Sequence, residues 1–147
     1  MEDFLYEAIF VPEGEAPPER SILARPELRV YVDGFGTGAA DACLVAEVEG
    51  AVIGMAWTRI MNDYGHVDDE TPSLAIALRE PWRGRGIGTA LLAGLLKRLA
   101  EAGYARASLS VQKANRAAKL YRRLGFRELE ARDGEAIMAC DLKNTRA

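Results

Sequence analysis

Leu91, Leu92, Leu95, Leu96 and Leu99, with Gly88 ahead of them, recur at i, i+3, i+4, i+7, i+8 and i+11. This spacing lays one apolar stripe along a helix and leaves Lys97, Arg98 and Glu101 on its opposite side. Gly103 supplies the stop, as Gly125 does for a second helix over residues 115–124 with Ala117, Ala118, Leu120, Tyr121 and Leu124 on one side. Phe4, Leu5, Ala8 and Ile9 predict a short first helix, whose start suits Glu2 and Asp3 because helix N-termini carry positive partial charge. Residues 21–35 read as one or two short helices interrupted near Pro26, since the residue before a proline is pushed out of the helical region. Residues 12–19, rich in proline and glutamate, and the polar residues 61–72 read as loops.

Strand signals occupy the remaining stretches. Residues 42–48 and 51–60 flank a Glu49-Gly50 turn and predict a hairpin. Residues 74–78 form a short apolar strand stopped by Pro81, and residues 105–111 form another. Residues 126–130 and 135–142 flank Asp133-Gly134 and predict a last hairpin. The order strand, helix, strand, helix, strand, strand implies a mixed α/β fold with helices packed on one sheet. A chain of 147 residues fits a single domain over 1–147.

Charge changes this picture more than composition does. The net charge of -3 hides 4 Lys+Arg against 15 Asp+Glu in residues 1–74, a net of -11, and 15 against 7 in residues 75–147, a net of +8. That division argues against a uniformly basic nucleic-acid binder and a uniformly acidic tail. No apolar run approaches the roughly 18 residues of a membrane span. The acidic start, MEDFLYEAIF, resembles neither a signal peptide nor a transit peptide, so a cytoplasmic location is expected. Cys43 and Cys140 form no CxxC pair and read as reduced thiols. With His66 as the single histidine, no metal site is expected.

The candidate chemistry centres on residues 74–89, where an apolar strand runs through three glycines, Gly84, Gly86 and Gly88, into the leucine helix. Glycines let backbone N–H groups converge on a ligand, and a helix N-terminus adds unpaired donors, so the place suits a phosphate or pyrophosphate. Arg83 and Arg85 add positive charge. A tight strand-to-helix turn is the plain alternative. A Walker loop is excluded because no lysine precedes Thr89, and GxGxG is not the GxGxxG of a dinucleotide site. The better match at residues 34–39 fails because Gly50 follows before any long helix can form.

Two motifs in order then become recognisable. Arg83, Gly86 and Gly88 meet the pattern Gln/Arg-x-x-Gly-x-Gly/Ala. Asn115, Ala118, Tyr121, Gly125 and Phe126 meet Asn-x-x-Ala-x-x-Tyr-x-x-x-Gly-Phe. With a strand and helix between them, residues 74–130 resemble the GNAT superfamily of N-acetyltransferases. The resemblance implies a central, mostly antiparallel sheet with flanking helices and acetyl-CoA as co-substrate. It implies that Arg83, Gly84, Arg85, Gly86, Ile87, Gly88 and Thr89 hold the CoA pyrophosphate. Ile76, Ala77 and Leu78 would pair with the pantetheine arm, Asn115 would hydrogen-bond that arm, and Tyr121 would protonate the departing thiolate. The acceptor, a primary amine, would attack directly in a ternary complex. Asn115 as a helix N-cap and Tyr121 as a core residue are the structural alternatives.

Amine acetylation also needs a neutral nucleophile, whereas an alkylamine with pKa ~10.4 is mostly protonated at neutral pH. Asp68, Asp69, Glu70 and Glu80 are the candidate bases, Glu70 and Glu80 foremost, against the alternative that the acidic run is a solvated loop. Relatives often begin the central strand with an acidic residue, where this chain has Ser73 after Pro72. Trp57 and Arg59 either line the acceptor pocket or pack. Members of the superfamily usually begin with a strand before the first helix, whereas this chain starts almost at the helix. Strand 42–48 is then an uncovered edge, and monomer and homodimer both remain open. Two rivals stand: a catalytically idle acyl-CoA-binding regulatory domain, and a nucleic-acid binder using Lys113, Arg116, Lys119 and Arg123. The charge division suits the first reading, with anionic CoA met by the basic half and a cationic acceptor drawn by the acidic half.

Overall fold

The computed structural model describes residues 1–11, 14–61, 63 and 65–142; Pro12 and Glu13 of the expected loop lie outside them. Among the described residues the helices are α1 (Glu2–Ala8), α2 (Pro26–Arg29), α3 (Ile87–Glu101) and α4 (Ala117–Arg123). Short 3-10 turns cover Arg20–Ala24 and Glu80–Trp82. The strands are β1 (Ala42–Val48), β2 (Ala51–Arg59), β3 (Ser73–Leu78), β4 (Arg106–Gln112), β5 (Arg127–Arg132) and β6 (Glu135–Asp141). They form one six-stranded sheet in the order β1-β2-β3-β4-β6-β5. Every neighbouring pair is antiparallel except β3 and β4, which are parallel. The fold is therefore mixed α/β with a mostly antiparallel sheet, as expected, and β1 is one of its edges.

Both hairpins form where the turn chemistry predicts them. Glu49 and Gly50 have φ of 51° and 84°, and Asp133 and Gly134 have 49° and 81°. Two consecutive residues with positive φ give the primed turn whose twist matches the flanking strands. Asn115 lies just ahead of α4, two residues outside the helix it was expected to start.

The sheet separates two apolar layers. On one face the α3 leucines 91, 92, 95, 96 and 99 bury against Ala56, Leu74, Ala107, Leu109, Val111 and Met138, and α4 adds Ala118 and Tyr121. Gly54 leaves room here for Leu78 of β3 and Leu91 of α3, whose methyls a Cβ on it would meet at 2.4 Å and 3.2 Å. On the other face Phe4, Leu5, Leu23 and Tyr31 pack on Trp57 and Ala77. The two cysteines are free, with Cys43 packed among this second layer and Cys140 in the first.

Polar ties fasten the second layer. Trp57 is fully buried and its indole N–H donates to the Tyr31 carbonyl at 3.1 Å. Arg59 donates to both carboxylate oxygens of Asp41, each at 3.2 Å, and to the carbonyls of Val30 at 3.1 Å and Asp33 at 2.7 Å. Trp57 and Arg59 are thus packing residues that hold the segment following α2 against β2. The Asp41 side chain is 2% exposed and also accepts from the Gly36 and Gly38 N–H groups. Removing it leaves a buried guanidinium uncompensated. Asp41→Ala is expected to lower the unfolding free energy by about 3–5 kcal/mol. Arg132→Ala, which breaks an exposed pair with Glu130, is expected to change it by less than about 1 kcal/mol. Urea unfolding of the two variants checks the contrast.

Candidate active site

The site begins where the sheet comes apart. β3 and β4 share one registered pair, Ser73 with Ser108, and the Ser108 N–H donates to the Pro72 carbonyl at 2.9 Å. Beyond that pair the strands diverge, although β3 stays paired with β2 and β4 with β6 along their other edges. The divergence leaves backbone N–H and C=O groups of both inner edges without a strand partner, which is costly unless something else pairs with them. Side chains secure the root of the gap: the Ser73 hydroxyl donates to Asp63 Oδ1 at 2.9 Å, and the Ser108 hydroxyl donates to the Gly65 carbonyl at 2.7 Å. Gly65 lies on the β4 backbone so closely that a Cβ would sit 2.8 Å from the Leu109 carbonyl carbon. Burial pushes the Asp63 carboxyl above its usual value, against hydrogen bonds from the Ser73 and Tyr31 hydroxyls.

A cavity of about 280 Å³ occupies the gap. Its walls include Leu74, Ala75 and Ile76 of β3 and Leu109, Ser110, Val111 and Gln112 of β4. Consecutive strand residues face opposite sides of a sheet, so a wall using every residue in turn is the strand edge itself. Leu92 and Tyr121 reach the cavity from the face covered by α3 and α4, whereas Leu5, Ala8, Ile9, Leu28 and Tyr31 reach it from the other. The cavity consequently passes through the plane of the sheet.

Tyr121, 8% exposed, packs edge-on against Phe126 with ring centroids 5.9 Å apart. Burial pushes its phenol up to about 12, so it keeps its proton at neutral pH. The Asn115 side-chain oxygen accepts the Ala117 N–H at 2.9 Å, so it does cap the turn into α4 while lining the same cavity.

Ile76, Asn115 and Tyr121 are therefore brought together. Ala77 packs in the layer under α1, and Leu78 packs towards α3. Arg83, Gly84, Arg85, Gly86, Ile87, Gly88 and Thr89 do not line the cavity; they run from the end of β3 into α3. Gly84 and Gly86 have φ of 74° and 82°, the left-handed conformation that side chains disfavour, while a Cβ on either would meet nothing within 4 Å. The glycines are thus required by backbone direction rather than by crowding. Arg83 donates to the Leu78 carbonyl and to Glu7 of α1, both at 3.1 Å, while Arg85 stacks on Trp82.

The acidic candidates stand apart from the cavity. Glu70 and Glu80 are exposed. Asp68 accepts from Thr71 at 2.8 Å, from the Glu70 N–H and from Arg106, contacts that hold its carboxyl below the usual range. Asp69 faces His66 at 3.5 Å. Among the described residues, the carboxylates that do line the cavity are Glu27 and Glu135, neither marked by any motif in the sequence. Burial, and then the nearby Asp133 charge, raise the Glu135 carboxyl above its usual value. Burial also raises both cysteine thiols, which keeps them protonated.

This parted sheet and its motifs place the chain in the GNAT family of acetyltransferases, whose family model matches residues 5–126. An N-alpha-acetyltransferase of Sulfurisphaera tokodaii is 37% identical over 98 residues, covering 60% of this chain and 58% of that protein. The match thus spans little more than half of that relative. Among solved structures, a GCN5-related N-acetyltransferase from Kribbella flavida superimposes with a TM-score of 0.66 at 19% identity, over 95% of this chain and 86% of that one. The PaiA N-acetyltransferase of Thermoplasma acidophilum, in complex with coenzyme A, gives 0.60 at 19% identity, over 69% and 61%. Among the described residues no helix is long and apolar enough to cross a membrane.

The environment of Tyr121 predicts a late titration. In ultraviolet difference titration of the wild type against Tyr121→Phe, the missing transition is expected at about pH 12 rather than at the ordinary 10.

Proposed function

We propose that the protein transfers the acetyl group of acetyl-CoA to a primary amine by direct attack within a ternary complex. The observation that carries this reading is the cavity passing through the sheet at the parted strands, with a protonated phenol on one face. Two substrates entering from opposite faces meet there without a covalent enzyme intermediate, and the protonated thiols of half-buried Cys43 and buried Cys140 favour that route. The residues present fit coenzyme A. Backbone N–H groups of Gly84, Gly86 and Gly88, with the first turn of the 15-residue α3, suit the pyrophosphate. The edge of β3 at Ile76–Leu78 that faces away from β2, where Arg83 already holds the Leu78 carbonyl, suits the amides of the pantetheine arm as an added strand does. The Asn115 amide nitrogen supplies a further donor, and Tyr121 supplies the proton for the leaving thiolate.

The family membership and the coenzyme A complex of the Thermoplasma neighbour support the co-substrate. Similarity to an N-alpha-acetyltransferase supports an α-amino group at a chain N-terminus as acceptor. Such an amine, with pKa near ~8, needs less help to lose its proton than a lysine does. We read residues 1–147 as one catalytic domain working in the cytoplasm, with its acidic half drawing in a cationic acceptor.

Thiol release from acetyl-CoA over a panel of amines, N-terminal peptides included, tests the proposal. Turnover is expected, with Tyr121→Phe lowering kcat by about 10²-fold or more while CoA affinity by calorimetry is kept. Tight CoA binding with no turnover for any acceptor would instead identify an idle acyl-CoA-binding domain.

A further inference from the structure

We propose that Glu135 is the general base that takes the proton from the acceptor's ammonium group, an assignment resting on the amine-acetylation reading above. Glu135 opens β6 and pairs in register with Gln112 of β4, as Ile137 pairs with Ser110. Leu109 and Val111 pack among the α3 and α4 leucines, so by strand alternation Ser110 and Gln112 face the other side of the sheet. Glu135, directly opposite Gln112, shares that side and lines the cavity there. Tyr121 enters the same cavity from the α4 side. The carboxylate and the phenol thus stand on opposite faces of one gap, which is the arrangement a direct displacement needs. The nucleophile loses its proton on the face where it arrives, and the leaving group gains one on the face where it departs.

The surroundings suit a base. Among the described residues Glu135 makes no ion pair, and the neighbouring Arg132 pairs with Glu130 instead. The charged groups around it are Arg132, directly opposite on β5, Asp133 in the hairpin turn, and Glu27 and Arg25 on the far wall. Lys113 approaches only through its backbone, which donates to the Gly134 carbonyl at 3.3 Å. Burial and the Asp133 charge raise the carboxyl, bringing it nearer the pKa of the proton it must remove. Glu27, the other carboxylate, belongs to α2 on the outer wall rather than to a strand of the parted sheet.

In the reaction the ammonium passes one proton to the Glu135 carboxylate, and the freed lone pair forms the C–N bond as the carbonyl pair moves onto oxygen. On collapse the C–S bond breaks with its pair on sulfur, which takes the Tyr121 phenol proton. The excess proton remaining on nitrogen passes through solvent to the Tyr121 phenolate and restores the phenol, while Glu135 releases its own proton to solvent. The products are an N-acetyl amide and free CoA thiol.

Glu135→Gln keeps the shape and removes the base. With an alkylamine acceptor, kcat/KM at pH 7 is expected to fall by about 10²-fold or more, with CoA affinity unchanged. The wild-type loss of rate on acidification, centred above the ordinary glutamate range, should vanish in the variant. The deficit should shrink as pH rises towards ~10.4, where the amine deprotonates unaided. Glu135→Asp should restore the acid limb at a reduced rate, and Glu27→Gln should retain it throughout. Wild-type turnover combined with an unaltered acid limb in Glu135→Gln overturns the assignment alone. Absence of thiol release by the wild type with every amine overturns the parent reading and this assignment with it.

Discussion

A parallel strand pair that stops after one residue pair is the constraint on which the rest of the structure depends. A continuous β3–β4 ladder would seal the sheet and leave no site. Here the ladder closes at Ser73 and Ser108 and is held shut there by hydroxyls bonded to Asp63 and to the Gly65 carbonyl. Gly65 lets the loop lie on the β4 backbone, where any side chain would collide with main chain rather than with something able to move. Past that point two strand edges face one another with free hydrogen-bonding groups. An open gap of this kind survives because β2 and β6 hold β3 and β4 from outside, so the fold keeps its pairing while leaving a binding edge.

Each face of the sheet then contributes something different to the gap. The α3 leucine stripe makes a dense apolar layer, within which Tyr121 is buried enough to remain a phenol at neutral pH. The opposite layer is thinner and is made of short helices that cannot hold themselves in place by length. Polar ties hold them instead: the Trp57 indole on the Tyr31 carbonyl, and Arg59 bridging Asp41 to the carbonyls of Val30 and Asp33. These ties position Tyr31 and Leu28 as cavity walls. Glu7 joins the two sides, since its carboxylate meets both Arg79 and Arg83 and so connects α1 to the glycine loop.

Much of this is legible in the order of residues alone. The 3.6-residue period of the leucines defines α3, the paired turn residues define both hairpins, and the glycine loop and the Asn-to-Phe motif mark the family. These signals are local, because each rests on a repeat or a turn within a dozen or so residues. The acidic run at 68–70 points to a base for the same local reason, although its members do not line the cavity. Its charges are conspicuous together, yet Asp68 is engaged with Thr71 and Arg106, and Glu70 is exposed. Glu135 carries no such signal, because in the sequence it is one polar residue beside a turn.

By itself the sequence determined the elements, their order, the family and the residues of the glycine loop and of the Asn115–Phe126 motif. Only the tertiary structure decided that Glu135 and Tyr121 face one cavity from opposite sides. Glu135 reaches it because β6 lies between β4 and β5, out of chain order, in a register that sets it against Gln112. Strand register and the point at which two strands part are properties of paired backbones distant in the chain. No period or spacing within either segment encodes them.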